Sequence, residues 1–121
     1  MIQETKYFKI YNFANQLKGD TFSARQFALT DEDGVAISLV SATFLIQFRV
    51  GNANGTVIKT ITTTSGMTVT DAAGGKFTIS AFLCSFPVGV YYYDCQITFA
   101  SGEVHTYFGG TMNVVNDTSK L

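Results

Sequence analysis

Hydrophobic and polar residues alternate along most of this chain with a period of two. In 42–50 (Ala-Thr-Phe-Leu-Ile-Gln-Phe-Arg-Val), Phe44, Ile46, Phe48 and Val50 share one face, and Thr43, Gln47 and Arg49 the other. Leu45 is the exception. In 90–99, Tyr91, Tyr93, Cys95, Ile97 and Phe99 alternate with Tyr92, Asp94, Gln96 and Thr98. Successive side chains of a strand point to opposite faces of its sheet, so each run predicts a strand with one buried face. Shorter runs at 56–62, 67–70, 76–80 and 103–115 follow the same logic, and 7–13 and 22–30 also read as extended. Gly109-Gly110, in the middle of the last run, predicts a bulge or the close approach of another backbone. No long window has helical periodicity. Only 81–86, just before Pro87, has room for one helical turn.

Turn signals separate these runs: Asp33-Gly34, Asn54-Gly55, Ser65-Gly66, Gly74-Gly75, Pro87-Val88-Gly89 and Ser101-Gly102. Glycine supplies the positive φ of tight turns, and Asn or Asp tolerates it. Asn54-Gly55 and Ser101-Gly102 each join two strand patterns, which predicts two hairpins. Short strands at this spacing predict an all-β fold: an antiparallel two-sheet sandwich of seven to eight strands over residues 20–115. A small closed barrel is the alternative. The pattern breaks at Lys18-Gly19-Asp20, which sets residues 1–19 apart as an N-terminal arm and leaves 116–121 as a C-terminal tail. Tyr7, Phe8, Ile10, Tyr11 and Phe13 of the arm need a cover. Either they add a strand to the sandwich or they lie against a neighbouring subunit.

Composition narrows the function. The 121 residues make one domain. Charged residues are 14% of the chain, against about 25% in an average protein. Aromatic residues are also 14%, and the net charge is −1. A near-neutral chain has no field with which to hold nucleic acid by its phosphates, and so many aromatics argue against disorder. A surface poor in charge suits contact with other proteins. No run reaches the roughly 20 apolar residues that span a bilayer. Glu4, Lys6 and Lys9 interrupt the first apolar residues, so no signal-peptide core is expected there. Neither a membrane nor a nucleic-acid partner is therefore expected.

Catalytic constellations are not apparent. Asp31-Glu32-Asp33 before Gly34 reads as a solvated turn, because no later acid completes a calcium loop. His105 is the sole histidine and lacks a partner at ligand spacing, so no metal or other cofactor is expected. No Gly-x-Ser-x-Gly elbow or phosphate-cradling glycine loop occurs. The chain is expected not to be an enzyme. Cys84 and Cys95 read as buried thiols, with a disulfide as the alternative. In Tyr91-Tyr92-Tyr93 the outer two point inward, while Tyr92 points outward and offers contact area at low entropic cost.

Phe86-Pro87-Val88-Gly89-Val90-Tyr91-Tyr92-Tyr93-Asp94, Ile97, Gly102 and Gly110-Thr111-Met112-Asn113-Val114 together resemble the end of small immunoglobulin-like domains of tailed bacteriophages. Such domains stand at the N-terminus of baseplate upper proteins and in related tail proteins. Asp33-Gly34, Ala42, Phe48-Arg49, Gly66-Met67-Thr68-Val69, Asp71 and Gly74-Gly75-Lys76-Phe77-Thr78-Ile79 extend the resemblance, which covers about residues 20–115. The Gly89-x-Tyr91 step resembles the tyrosine corner of immunoglobulin-type sandwiches. The baseplate proteins usually continue into a trimerising or receptor-carrying segment, and this sequence stops at Leu121. The resemblance therefore implies a small accessory subunit of a virion assembled in the bacterial cytoplasm. It would act as a capsid auxiliary (decoration) protein or as a tail or baseplate component. Its expected partners are capsid or tail subunits, or further copies of itself. The expected contact residues are Tyr7, Phe8, Tyr11 and Phe13 of the arm, together with Tyr92. The alternative is a carbohydrate- or host-surface-binding module built on Tyr92 with Asp94 and Gln96.

Overall fold

The computed structural model describes residues 9–116 and is all-β, with no helix among them. In chain order the strands are β1 (Lys9–Ile10), β2 (Gln16–Leu17), β3 (Thr21–Phe22), β4 (Arg25–Ala28), β5 (Thr43–Val50), β6 (Val57–Thr62), β7 (Met67–Asp71), β8 (Lys76–Ile79), β9 (Phe82–Leu83), β10 (Gly89–Thr98) and β11 (Val104–Val115). Seven of them have four residues or more, and the other four are two-residue segments. The large sheet runs β1-β11-β10-β5-β6, with β2 also pairing β11. The small sheet runs β4-β8-β7, and β3 pairs β9. Both expected hairpins form: β5 pairs antiparallel with β6, and β10 with β11. The segment 81–86 makes no helical turn. Phe82 and Leu83 pair with β3 instead, and Cys84 exchanges backbone hydrogen bonds with Asp20 and Gly19.

The two sheets meet through rings. Phe77 of β8 lies 4.8 Å from Phe44 of β5 and 6.4 Å from Phe108 of β11, and Phe27 of β4 lies 4.9 Å from Phe108. Of the inward positions predicted by alternation, Phe44, Ile46, Phe48, Tyr91, Tyr93, Cys95 and Ile97 are in this core, Phe99 packs against it, and Val50, at the end of β5, is exposed. The β3–β9 pair closes one end of it. Phe22 stacks on Phe82 at 4.7 Å, and the Lys59 ammonium sits 4.3 Å from the Phe82 ring centre. Both cysteines are free and buried.

Of the two fates open to the arm, residues 9–17 take the first: they become an edge of the large sheet. β1 and β2 run parallel to β11, with Lys9 beside Phe108 and Gln16 beside Val114. Between them Tyr11 N–H donates to Gly109 O (2.8 Å) and Phe13 N–H to Thr111 O (2.9 Å). The buried Gln16 amide donates to the carbonyls of Leu17 and Asp20, which fixes the turn that follows. Phe13, expected to face a partner, is instead a core residue. Its ring lies 4.8 Å from Tyr93 and 5.2 Å from Phe22. An apolar ring on an edge strand gains most by filling the gap between two layers.

Candidate functional site

The outer face of the large sheet carries a cleft. Antiparallel pairing sets Arg49 beside Tyr92 and Gln47 beside Asp94, and on the other side of β10 Thr111 beside Tyr92. Alternation sends all of these away from the core. The parallel pairing of β1 places Ile10 next to Gly109 and so brings Ile10 and Asn12 to the same face. With Ala53 and Gly110, these residues line a cleft of about 290 Å³.

Its walls are fixed by internal bonds. The Arg49 guanidinium donates from Nη1 to Gly55 O (2.9 Å) and from Nη2 to Gln47 Oε1 (3.1 Å). Asn12 Oδ1 accepts from the Thr111 backbone N–H (2.9 Å) and lies 3.2 Å from the Thr111 hydroxyl. Tyr93, from beneath, donates its hydroxyl to the Tyr11 carbonyl at 2.6 Å. Burial raises the Tyr93 pKa and keeps it a donor. The Asp94 carboxylate has no hydrogen-bond partner among the described residues. Crowding by the cleft walls pushes its pKa above the ordinary carboxylate value, and Arg49 pulls in the opposite, weaker sense.

This fixes a sign. A carboxyl whose folded pKa is raised binds a proton more readily in the native than in the unfolded state. Its contribution then falls as pH rises through the ordinary carboxylate range towards the raised value. Asp94→Asn should therefore flatten the decline of stability over that window. Urea midpoints of both proteins at about pH 4 and about pH 7 check it.

Among the described residues, the expected contact residues Tyr11 and Phe13 of the arm are not brought together with Tyr92. Tyr7 and Phe8 lie outside the described residues. Tyr11 is 43% exposed, but its ring turns towards Phe13 (5.2 Å) and Phe27 (5.6 Å), at the edge between the sheets. Tyr92, 36% exposed, stands at the cleft on the other face. Gln96, grouped with Tyr92 and Asp94 in the sequence, lines an adjoining polar depression with Leu45 and Asn54, and Gln47, Arg49, Ala53 and Asp94 border both. Sequence reasoning missed Arg49, Asn12, Thr111 and Gly110 as cleft residues. Alternation did place Arg49 outward, but only the pairing register sets it beside Tyr92.

Elsewhere, Asp31 Oδ1 accepts the N–H groups of Asp33 and Val35, so the acidic run is built as a turn. His105 Nε2 lies 3.2 Å from Glu103 Oε1, with Phe99 and Tyr107 around the ring. No cluster of three or more potential metal ligands occurs among the described residues.

No protein family and no curated protein sequence matches the chain. Among solved structures it is similar to CopC from Methylosinus trichosporium OB3b, with a TM-score of 0.45 and 11% identity over 88% of this chain and 91% of that one. It is also similar to extracellular domains 3–5 of Drosophila OTK, with a TM-score of 0.36 and 12% identity over 96% of this chain and 34% of that one. A family 123 glycoside hydrolase from Clostridium perfringens gives a TM-score of 0.34 and 10% identity over 93% of this chain and 24% of that one. At these scores the likenesses carry no argument about function.

Proposed function

We propose that this chain is a non-enzymatic, immunoglobulin-like β-sandwich that serves as a structural protein of a tailed-bacteriophage virion and works by association. Two features support the immunoglobulin-like reading. The order β4-β8-β7 matches the B-E-D strands of that fold, and β11-β10-β5 matches G-F-C, with β6 as an added edge. The Tyr91 hydroxyl donates to the Pro87 carbonyl, four residues upstream, at 2.5 Å. That is the bond of a tyrosine corner, here near the start of β10, the F position. The position two residues on, a disulfide cysteine in antibody domains, is held here by Tyr93.

The association role rests on one observation: the outer face of the large sheet is almost free of charge. At its outward positions stand Leu45, Ile58, Val90, Tyr92 and Val104, interspersed with threonines, glutamines and Asn113. Ile58, Val90, Tyr92 and Val104 are exposed. Arg49 and Asp94 are the charged side chains among the outward positions of β5, β10 and β11. Protein interfaces are depleted of charge at their centres and enriched in tyrosine. Capsid or tail subunits are the proposed partners.

Quantitative mass spectrometry of purified particles tests this. The chain should be present, either in proportion to the major capsid protein (a shell auxiliary) or in a few symmetric copies (a tail or baseplate subunit). Complete absence from particles overturns the virion reading.

A further inference from the structure

We infer that the cleft beside Tyr92 is a binding site for a neutral sugar ring. The inference stands whether or not the chain belongs to a virion, because it rests on the chemistry of the lining alone.

The cleft sets an acceptor and a donor side by side. Asp94 offers carboxylate lone pairs that no described residue occupies. Arg49, facing the neighbouring register position, has five N–H donors, of which the bonds to Gly55 and Gln47 engage two. Their charges oppose one another, so a cation in the cleft meets Arg49 and an anion meets Asp94. Neither sign of ligand gains a net attraction. What fits adjacent acceptor and donor groups is a neutral molecule that both donates and accepts from neighbouring atoms. Vicinal hydroxyls do this, since each carries one O–H and two lone pairs.

The apolar part of the cleft agrees. Tyr92 lies two residues from Asp94 on the same strand, so its ring and the carboxylate share one face. A half-exposed tyrosine ring supplies a flat apolar surface with a polar tip, which suits the C–H face of a pyranose. Ile10, 67% exposed, stands across the sheet from it. Gly110 adds no side chain to the floor. The Asn12–Thr111 bond holds the remaining wall in place. Ligand pockets run from about 300 to about 1,000 Å³, so a cleft of about 290 Å³ is of a size for a single ring.

The test is a nuclear magnetic resonance titration of the ¹⁵N-labelled full chain. Glucose, galactose, rhamnose and N-acetylglucosamine are each added to about 50 mM, enough to saturate a millimolar site. Saturable amide shifts centred on Tyr92, Asp94 and Thr111 are expected with at least one sugar. Tyr92→Ala and Asp94→Asn should each weaken that binding about tenfold or more, a change of about 1.4 kcal/mol, with the rest of the spectrum unchanged. Acetate and guanidinium, the charged counter-probes, should leave these amides in place. The inference is overturned if no sugar gives a saturable shift there, or if a charged probe shifts these amides and the sugars do not. Absence of the chain from phage particles would leave this result untouched.

Discussion

Phe13→Ala should lower the unfolding free energy by about 3–5 kcal/mol, the usual cost of truncating a buried phenylalanine. The ring is 6% exposed and touches aromatic groups of the large sheet and of the β3–β9 pair: Tyr93 at 4.8 Å, Phe22 at 5.2 Å and Phe48 at 6.3 Å. The Arg25 guanidinium also lies 5.9 Å from its centre. Alanine leaves a cavity between rings that are themselves held by strands, so the site cannot collapse to fill it. Whole domains are stable by only about 5–15 kcal/mol, so removing residues 1–15 should unfold much of the population. Urea denaturation checks both variants. A large drop in midpoint with an unchanged slope is expected for the substitution. An unchanged midpoint would mean that the arm is separable from the domain. The consequence for function is direct. Of the arm's described aromatic residues, only Tyr11 keeps surface for a partner, and the burden of association moves to the outer face of the large sheet.

How far the sequence reveals this follows from the range of each interaction. The alternation in 42–50 and 90–99 identifies β5 and β10 and the inward set from Phe44 to Ile97, because strand periodicity is a local property. Asn54-Gly55 and Ser101-Gly102 identify the hairpins for the same reason. The outward side chains Arg49, Tyr92 and Asp94 are legible one strand at a time. Their juxtaposition is not, since register depends on where the β5–β10 pairing begins, and those strands are separated by four others in sequence. The arm is the clearest case of information that local pattern lacks. Tyr11 and Phe13 are both aromatic and two residues apart, yet one ring is half out of the structure and the other is buried. Only the parallel pairing with β11, and a one-residue slip between β1 and β2, decides which. The segment 81–86 misleads for a related reason. Its apolar run fits a helical turn or a strand equally well, and the backbone groups of Thr21 and Phe22 make the strand.

Gly110→Val should destabilise the domain by about 1–3 kcal/mol or more, as overpacking of a closed contact does. The pair Gly109-Gly110 predicts a close backbone approach, and the arm is what approaches. A Cβ at position 110 would collide with the Tyr11 carbonyl oxygen and stand 2.5 Å from Asn12 Oδ1. The first of these atoms is backbone and cannot swing aside. It is also the acceptor of the Tyr93 hydroxyl, so pushing it away breaks the 2.6 Å bond that ties the arm to β10. The Asn12 contact with Thr111 and the Phe13 plug lie within the next two residues and should loosen with it. The damage is therefore expected to be local first. Hydrogen exchange should show lost protection at Tyr11, Phe13 and Lys18, whose N–H groups donate to Gly109, Thr111 and Val115, while β5 and β10 stay protected. Alanine at the same position should give the same pattern with a smaller loss. Unchanged exchange at the arm in both variants would show that the arm does not lie against Gly110, and the cleft it walls would then have to be redrawn.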